Sequence, residues 1–139
     1  MRIAVDKENS NISVPCEELA HFARTRGGRS RLSFVECSPN DFAASTFAEK
    51  LSYTVNEEGV DFTVTGVADV VCRTSDGGTA IETFAEKRRV TSRTHPAADP
   101  EFMAKGVLLA YMIAKRDDLS CVTLVLTYTS RSGEAQKSF

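Results

Sequence analysis

Apolar positions recur along this chain with two periods, and the change from one to the other marks off its elements. Cys16, Leu19, Ala20 and Ala23 fall at i, i+3, i+4 and i+7, with Phe22 beside them, which is the stripe of a core-packed helix. The pattern predicts a helix from a cap at Ser13, with Pro15, Glu17 and Glu18 in its first turn and Arg24 and Arg26 near its end, stopping at Gly27-Gly28. GGRSR follows as a loop. A second, shorter helix is expected from Ser38-Pro39-Asn40-Asp41, with Phe42, Ala43, Thr46 and Phe47 as its buried stripe.

From Leu51 the period is two. LSYTV, the turn NEEG and VDFTVTGVADVVCR predict a hairpin in which Leu51, Tyr53 and Val55 share one face, as do Phe62 and Val64 on the return strand. Gly66 marks a bulge or a close backbone approach. The chain turns at SDGG and returns as TAIETFAEKRRV, so three or four strands form an antiparallel meander. Glu101 to Lys115 predicts a helix apolar enough to be buried on more than one side, carrying Phe102, Met103, Val107, Leu108, Leu109, Tyr111, Met112 and Ile113 before Asp117-Asp118 break it. CVTLVLTYT is apolar on both faces and is expected as a central strand, with RSGEAQKSF as a turn and a short edge strand. The expected order is helix, helix, three or four strands, buried helix, one or two strands, a mixed α/β fold.

A chain of 139 residues that is 42% hydrophobic fits one domain over 1–139 with a modest core, whether it stands alone or is part of a longer protein. Its 17 basic and 19 acidic side chains give a formal charge of −2, so no whole-molecule basic field attracts a polyanion and any such contact needs a local patch. No apolar run approaches the roughly 20 residues that span a bilayer, and MRIAVDKENS carries no apolar signal core, which leads to the expectation of a soluble, cytoplasmic chain without a membrane partner. Cys16, Cys37, Cys72 and Cys121 stand singly and read as small buried thiols, while a disulfide or zinc site would need a proximity that spacing does not specify. His21 reads as structural and His95 as a loop residue, and there is no nucleophile triad, P-loop or dinucleotide-binding glycine motif.

Gly66-Val67-Ala68-Asp69 is followed on the next strand by Glu82, Glu86 and Lys87. An acid facing an acid and a lysine is the layout of a magnesium-dependent nuclease, because carboxylates are hard ligands for Mg²⁺ and a lysine positions the attacking water. Solvated strand faces carry such charges as well.

EKLSYTVNEEGVDFTVTGVADVV, TAIE, FMAKGVLLAYMIAK and VTLVLTYTS, in that order, resemble the PD-(D/E)XK nuclease-like domain in the form attached to DinG-type and XPD-like DNA helicases. The likeness runs from Glu49 to Phe139 and more loosely takes in the first helix with its leading NISV. It implies a restriction-endonuclease-like fold, Mg²⁺ or Mn²⁺ as cofactor, DNA as partner, and a helicase domain in cis or in trans. Asp69 becomes a catalytic metal ligand, with Gly66 and Ala68 matching the motif and Val67 replacing a basic residue. The second motif, laid on TAIETFAEK, places Ile81 and Glu82 on its first positions but Thr83 on the essential acid and Ala85 on the lysine. Side chains two apart share a strand face, so Ile81, Thr83, Ala85 and Lys87 lie on one side and Glu82, Phe84 and Glu86 on the other. If Asp69 faces Thr83, the site keeps one carboxylate. It is restored if Lys87 reaches back or if a bulge turns Glu82 or Glu86 inward, Glu82 then being the second metal ligand. On the helix, Lys105 and Leu109 stand where relatives carry a glutamine and a tyrosine, and Lys105 either snorkels to solvent or pairs with Asp69 in place of the metal.

EKRRVTSRT, from Glu86 to Thr94, gathers Lys87, Arg88, Arg89 and Arg93 against one acid with hydroxyls between them, the composition of a nucleic-acid contact. Three readings follow: a catalytically degenerate nuclease-fold domain that binds nucleic acid in DNA processing; an active Mg²⁺-dependent deoxyribonuclease using Asp69 with Glu82, Glu86 and Lys87; and an interaction module that keeps only the scaffold.

Overall fold

The alternating segments build a seven-stranded mixed sheet, here in a computed structural model that describes residues 3–25, 35–37, 45–73, 77–133 and 135–139. The elements are β1 (Ala4–Asp6), β2 (Asn11–Pro15), α1 (Cys16–Thr25), β3 (Ser45–Glu57), β4 (Val60–Arg73), β5 (Thr79–Lys87), a 3-10 turn (Pro96–Ala98), α2 (Pro100–Arg116), β6 (Thr123–Ser130) and β7 (Gln136–Ser138). The sheet runs β1-β2-β4-β5-β6-β7, with β3 also paired to β4.

The long hairpin forms in the expected register, with Leu51 opposite Gly66, Tyr53 opposite Val64 and Val55 opposite Phe62. Glu58 and Gly59, both at positive φ, close it as a two-residue turn whose twist matches the strands. β5 adds antiparallel to β4, completing the meander, and β6 lies parallel to β5, so α2 is the crossover between them. β7 covers the far edge of β6, which makes β6 an internal strand as its two apolar faces required.

Two stretches differ from the expected pattern. Asn11–Pro15 is a strand paired parallel to β4, so Ser13 sits opposite Thr63 instead of capping a helix, and α1 begins at Cys16 with Glu17 and Glu18 in its first turn. Five alternating residues pair more favourably with a long exposed strand edge than they extend a helix through proline. The short helix expected from Ser38 falls largely on 38–44, outside the described residues, as do GGRSR and Gly27-Gly28. Its last two positions, Thr46 and Phe47, belong to β3, where Phe47 pairs with Val70 and is exposed.

α2 starts at Asp99, whose carboxylate accepts from Phe102 N at 3.4 Å, and ends at Asp117. It buries Phe102, Met103, Gly106, Leu109, Met112 and Ile113, but Val107 and Tyr111 are 37% and 46% exposed. The helix is therefore covered along one broad face, not all round, because it lies on one side of the sheet next to α1. Among the described residues no helix is long and apolar enough to cross a membrane. Leu109, Met112 and Ile113 meet Cys16, Leu51, Ala68 and Ile81 in one core cluster, and Phe102 and Met103 meet Leu126, Tyr128 and Phe139 in a second. The four cysteines are free thiols, Cys16 and Cys72 buried and Cys37 and Cys121 exposed, which corrects the expectation that all four are interior.

Gly66 is the close approach read from the sequence. A Cβ there would stand 2.7 Å from both Cys16 Sγ and Leu109 Cδ2, so α1 and α2 meet the sheet only because this position lacks a side chain. Gly66→Ala is expected to lower stability by about 1–3 kcal/mol in urea unfolding, and a neutral result would show that the helices seat otherwise. Burial, and next the Glu17 carboxylate, push the Cys16 thiol up to about 12. A thiol reagent at about pH 8 should label Cys37 and Cys121 in the native protein and Cys16 only on unfolding; labelling of Cys16 as fast as Cys121 would contradict its place in the core.

Candidate functional site

β4 has three strand neighbours, and this sets the local geometry. β3 follows one edge from Val60 to Cys72, while the other edge is divided, β2 pairing with Asp61–Thr65 and β5 with Val70–Arg73. Gly66, Val67, Ala68 and Asp69 lie in the opening between them. Beyond Glu82 the β4–β5 ladder stops, and Asp69 bridges the divergence: its Oδ2 accepts from Phe84 N at 2.8 Å and from Thr83 Oγ1 at 3.1 Å. A carboxylate replaces the next rung of backbone hydrogen bonding. The backbone is irregular at the same level. Ala48, between the pairs Phe47–Val70 and Glu49–Ala68, has φ 51°, and the core-facing positions of β4 shift from Ala68 to Val71, three residues apart.

The candidate residues separate. Asp69 meets Thr83, which is fully buried, so of the two arrangements the sequence left open the site keeps one carboxylate. Glu82 pairs with Val70 and Val125, on the side opposite Ile81, and is 2% exposed. There, burial and then the Glu82 carboxylate raise the thiols of Cys37 and Cys72 above their ordinary range. The β5–β6 register is unbroken from Ala80 to Lys87, so no bulge in β5 turns Glu82 or Glu86 toward Asp69. Glu86 instead pairs with Arg131 at 3.3 Å. Lys87 reaches Asp99 at 3.1 Å and lies 5.7 Å above the Tyr128 ring, and it does not reach back to Asp69. Lys105 pairs with Glu17 at 3.7 Å, not with Asp69.

A divalent cation of the Mg²⁺ type takes several oxygen ligands. The donor set beside Asp69 is one carboxylate already engaged by an amide and a hydroxyl, and among the described residues no three His, Cys, Asp or Glu side chains gather as a metal-binding group. These residues do not fit the metal that the resemblance implies.

Two acids at the opening were not singled out by sequence reasoning. Glu17 lines both a groove of about 320 Å³ beside Lys50, Gly66 and Val67 and a cleft of about 240 Å³ beside Phe84, Asp99 and Lys105. Its position depends on the pairing of β2 with β4, for which the local sequence has no signal. Asp99 did have one, since Asp-Pro-Glu before an apolar run is a helix start.

The basic run leaves the end of β5. Val90 packs against the cluster of Phe102, Tyr128 and Phe139, which fixes the segment, and Arg88, Arg89 and Arg93 are exposed and make no ion pair among the described residues. Lys137 Nζ supports the segment from behind, donating to Thr94 O at 3.1 Å and Ser92 O at 3.3 Å.

No protein-family model and no curated protein matches this chain. Among solved structures it is similar to SSO0001, at 10% identity over 68% of this chain with a TM-score of 0.44; the match spans 41% of that protein's length.

Asp69→Ala leaves the Phe84 amide without its acceptor and is expected to cost about 1–3 kcal/mol in urea unfolding with chelator present, whereas Asp69→Asn, which keeps an oxygen, should cost less. Equal stability of Asp69→Ala and the wild type would remove the strand-bridging role.

Proposed function

We propose that this chain is a PD-(D/E)XK-like domain acting in DNA processing, beside a helicase domain in cis or in trans, that has lost its catalytic set and holds nucleic acid. The observation that carries the binding is the segment from Lys87 to Thr94, whose Arg88, Arg89 and Arg93 are exposed and make no ion pair among the described residues, while its backbone is fastened by Val90 and Lys137. Phosphate contacts need this kind of charge, mounted on a fixed frame with hydroxyls between the cations.

The order β3, β4, β5, α2, β6, a meander and then a packed helix before the closing strands, is compatible with the resemblance. Asp69 lies where β4 and β5 part, but Thr83 and Ala85 occupy the positions of acid and lysine. Lys87, and Glu86 and Lys105 as substitutes, each hold another partner. This favours binding over hydrolysis.

Labelled single- and double-stranded DNA with Mg²⁺ or Mn²⁺ tests the reading. Salt-sensitive binding without cleavage is expected, and replacing Arg88, Arg89 and Arg93 by alanine should reduce the slope of log affinity against log salt by about one for each phosphate no longer neutralised. Metal-dependent cleavage abolished by Asp69→Asn would overturn it in favour of an active nuclease, and absence of binding would leave only the scaffold.

A further inference from the structure

The half of the sheet built from β1, β2, β4 and β3 has two unlike faces. On one, Asn11 and Thr54 hydrogen-bond to Thr63, and Asn56 to Asp61, so the polar side chains of neighbouring strands satisfy one another. The other face is apolar. The pairings Val5–Ile12, Ile12–Phe62 and Phe62–Val55 set four side chains in one row across four strands, about 14 Å wide at the ordinary strand spacing. Val14, Val64 and Tyr53 form the next row. Tyr53 and Val64 pack against the core cluster beneath α2, and the Tyr111 ring of α2 meets Tyr53 edge-on at 5.3 Å. Both rows therefore lie on the side of the sheet that carries the helices. The cover stops at Tyr53: Val5, Phe62 and Val55 are 61%, 37% and 41% exposed.

A strand that alternates this cleanly has one face for water and one for packing, and contiguous exposed apolar surface marks a place where something docks. The charges around it decide the occupant. Just past the row from Val5 to Val55 stand Asp6, Lys7 and Glu8 between β1 and β2, and Glu57, Glu58 and Asp61 at the hairpin tip, five acids against one lysine. None of them makes an ion pair among the described residues. The opposite border carries Lys115, its Nζ 5.5 Å from the Tyr111 ring. A second copy brings as many acids as it meets, so even a favourable two-fold pairing offers each set of five little more than one lysine. Anionic lipid and nucleic acid are repelled outright. A cationic partner is the complement, and α1 and α2 show what this side of the sheet accepts: a helix, whose width of about 10 Å fits within the row.

We infer that this open half-face is a docking surface for a basic amphipathic helix of a partner protein, its apolar stripe seated on the row from Val5 to Val55 and its flanking lysines or arginines meeting the acids at the strand ends. The helix continues the layer that α1 and α2 begin, with Tyr53 and Tyr111 as its side wall. The two parts of the surface do different work: the row supplies burial, and the acidic rim selects among apolar stripes by their charge. The inference uses none of Lys87, Arg88, Arg89 or Arg93 and stands apart from the nucleic-acid reading.

The test selects a displayed library of helices about 18 residues long on the wild-type chain, each apolar at i, i+3, i+4 and i+7 and randomised among Lys, Arg, Glu and Gln at the flanks. The peptides that emerge are synthesised and titrated against the wild type, Val55→Asp/Phe62→Asp and Glu8→Lys/Glu57→Lys, with folding checked by thermal melting. Basic flanks are expected to dominate the selection. Affinity should fall at least about tenfold in Val55→Asp/Phe62→Asp, and about fivefold with a weaker salt dependence in Glu8→Lys/Glu57→Lys. The second variant leaves every apolar side chain in place, so it carries the test if the aspartates unsettle the hairpin. Flanks enriched in glutamate or in no charge, binders indifferent to both variants, or no binder at all overturn the inference. Two further outcomes replace the partner helix. A dimer at about 0.1 mM in sedimentation that Val55→Asp/Phe62→Asp dissolves gives the face to a second copy, and binding to phosphatidylserine-containing vesicles lost in that variant gives it to a membrane.

Discussion

A strand has two edges, and β4 must serve three neighbours. β3 takes one edge along nearly its whole length, so β2 and β5 divide the other and neither can extend into the four residues from Gly66 to Asp69. Backbone groups in such a gap need partners, and side-chain volume there decides what can approach. The chain meets the two demands at its two ends. At Gly66 the absence of a side chain admits Cys16 and Leu109, which seats both helices; at Asp69 a carboxylate receives the Phe84 amide that the parted ladder leaves over. The helices, the strand divergence and the position of the one motif acid are consequences of the same divided edge.

Charge placement follows from that geometry. The ends of β5 and the starts of α1 and α2 converge on the opening, bringing Lys87 to Asp99 and Lys105 to Glu17, while Glu86 turns outward to Arg131. Partly exposed pairs of this kind contribute little to stability, on the order of 0–1 kcal/mol each. Their effect is to commit the nearby amines elsewhere, so that Asp69 is met by a hydroxyl and an amide. Past the end of β5, Arg88, Arg89 and Arg93 make no ion pair among the described residues, and a chain of net charge −2 thereby presents a basic segment.

What the sequence revealed depended on range. The β3–β4 hairpin, α2 and β6 were legible because their periods are local and continue over many residues, while alternation told only that Thr83 and Glu82 lie on opposite faces, not which of them Asp69 meets. β2 was not legible: NISVP is short, and what makes it a strand is a parallel partner about fifty residues on, beyond any local signal. The partners of Lys105 and Lys87 were missed for another reason. Long flexible side chains choose among acids by the placement of three or more elements, and Glu17 and Asp99 come into reach only once β2 and the start of α2 are positioned. The exposure of Tyr111 and Val107 was hidden because composition gives a helix's apolarity but not which layers the fold supplies to cover it.

Acids from α1 and α2 gather beside the second half of β5. Phe84, whose amide is held by Asp69, and Lys87, which pairs with Asp99, are three residues apart, about 10 Å along a strand. Asp99 lines both the cleft beside Lys87 and the one beside Phe84, and Glu17 and Glu101 line the latter. That side of the sheet therefore presents carboxylates, with Lys105 held by Glu17, where hydrolysis of a phosphodiester needs cations.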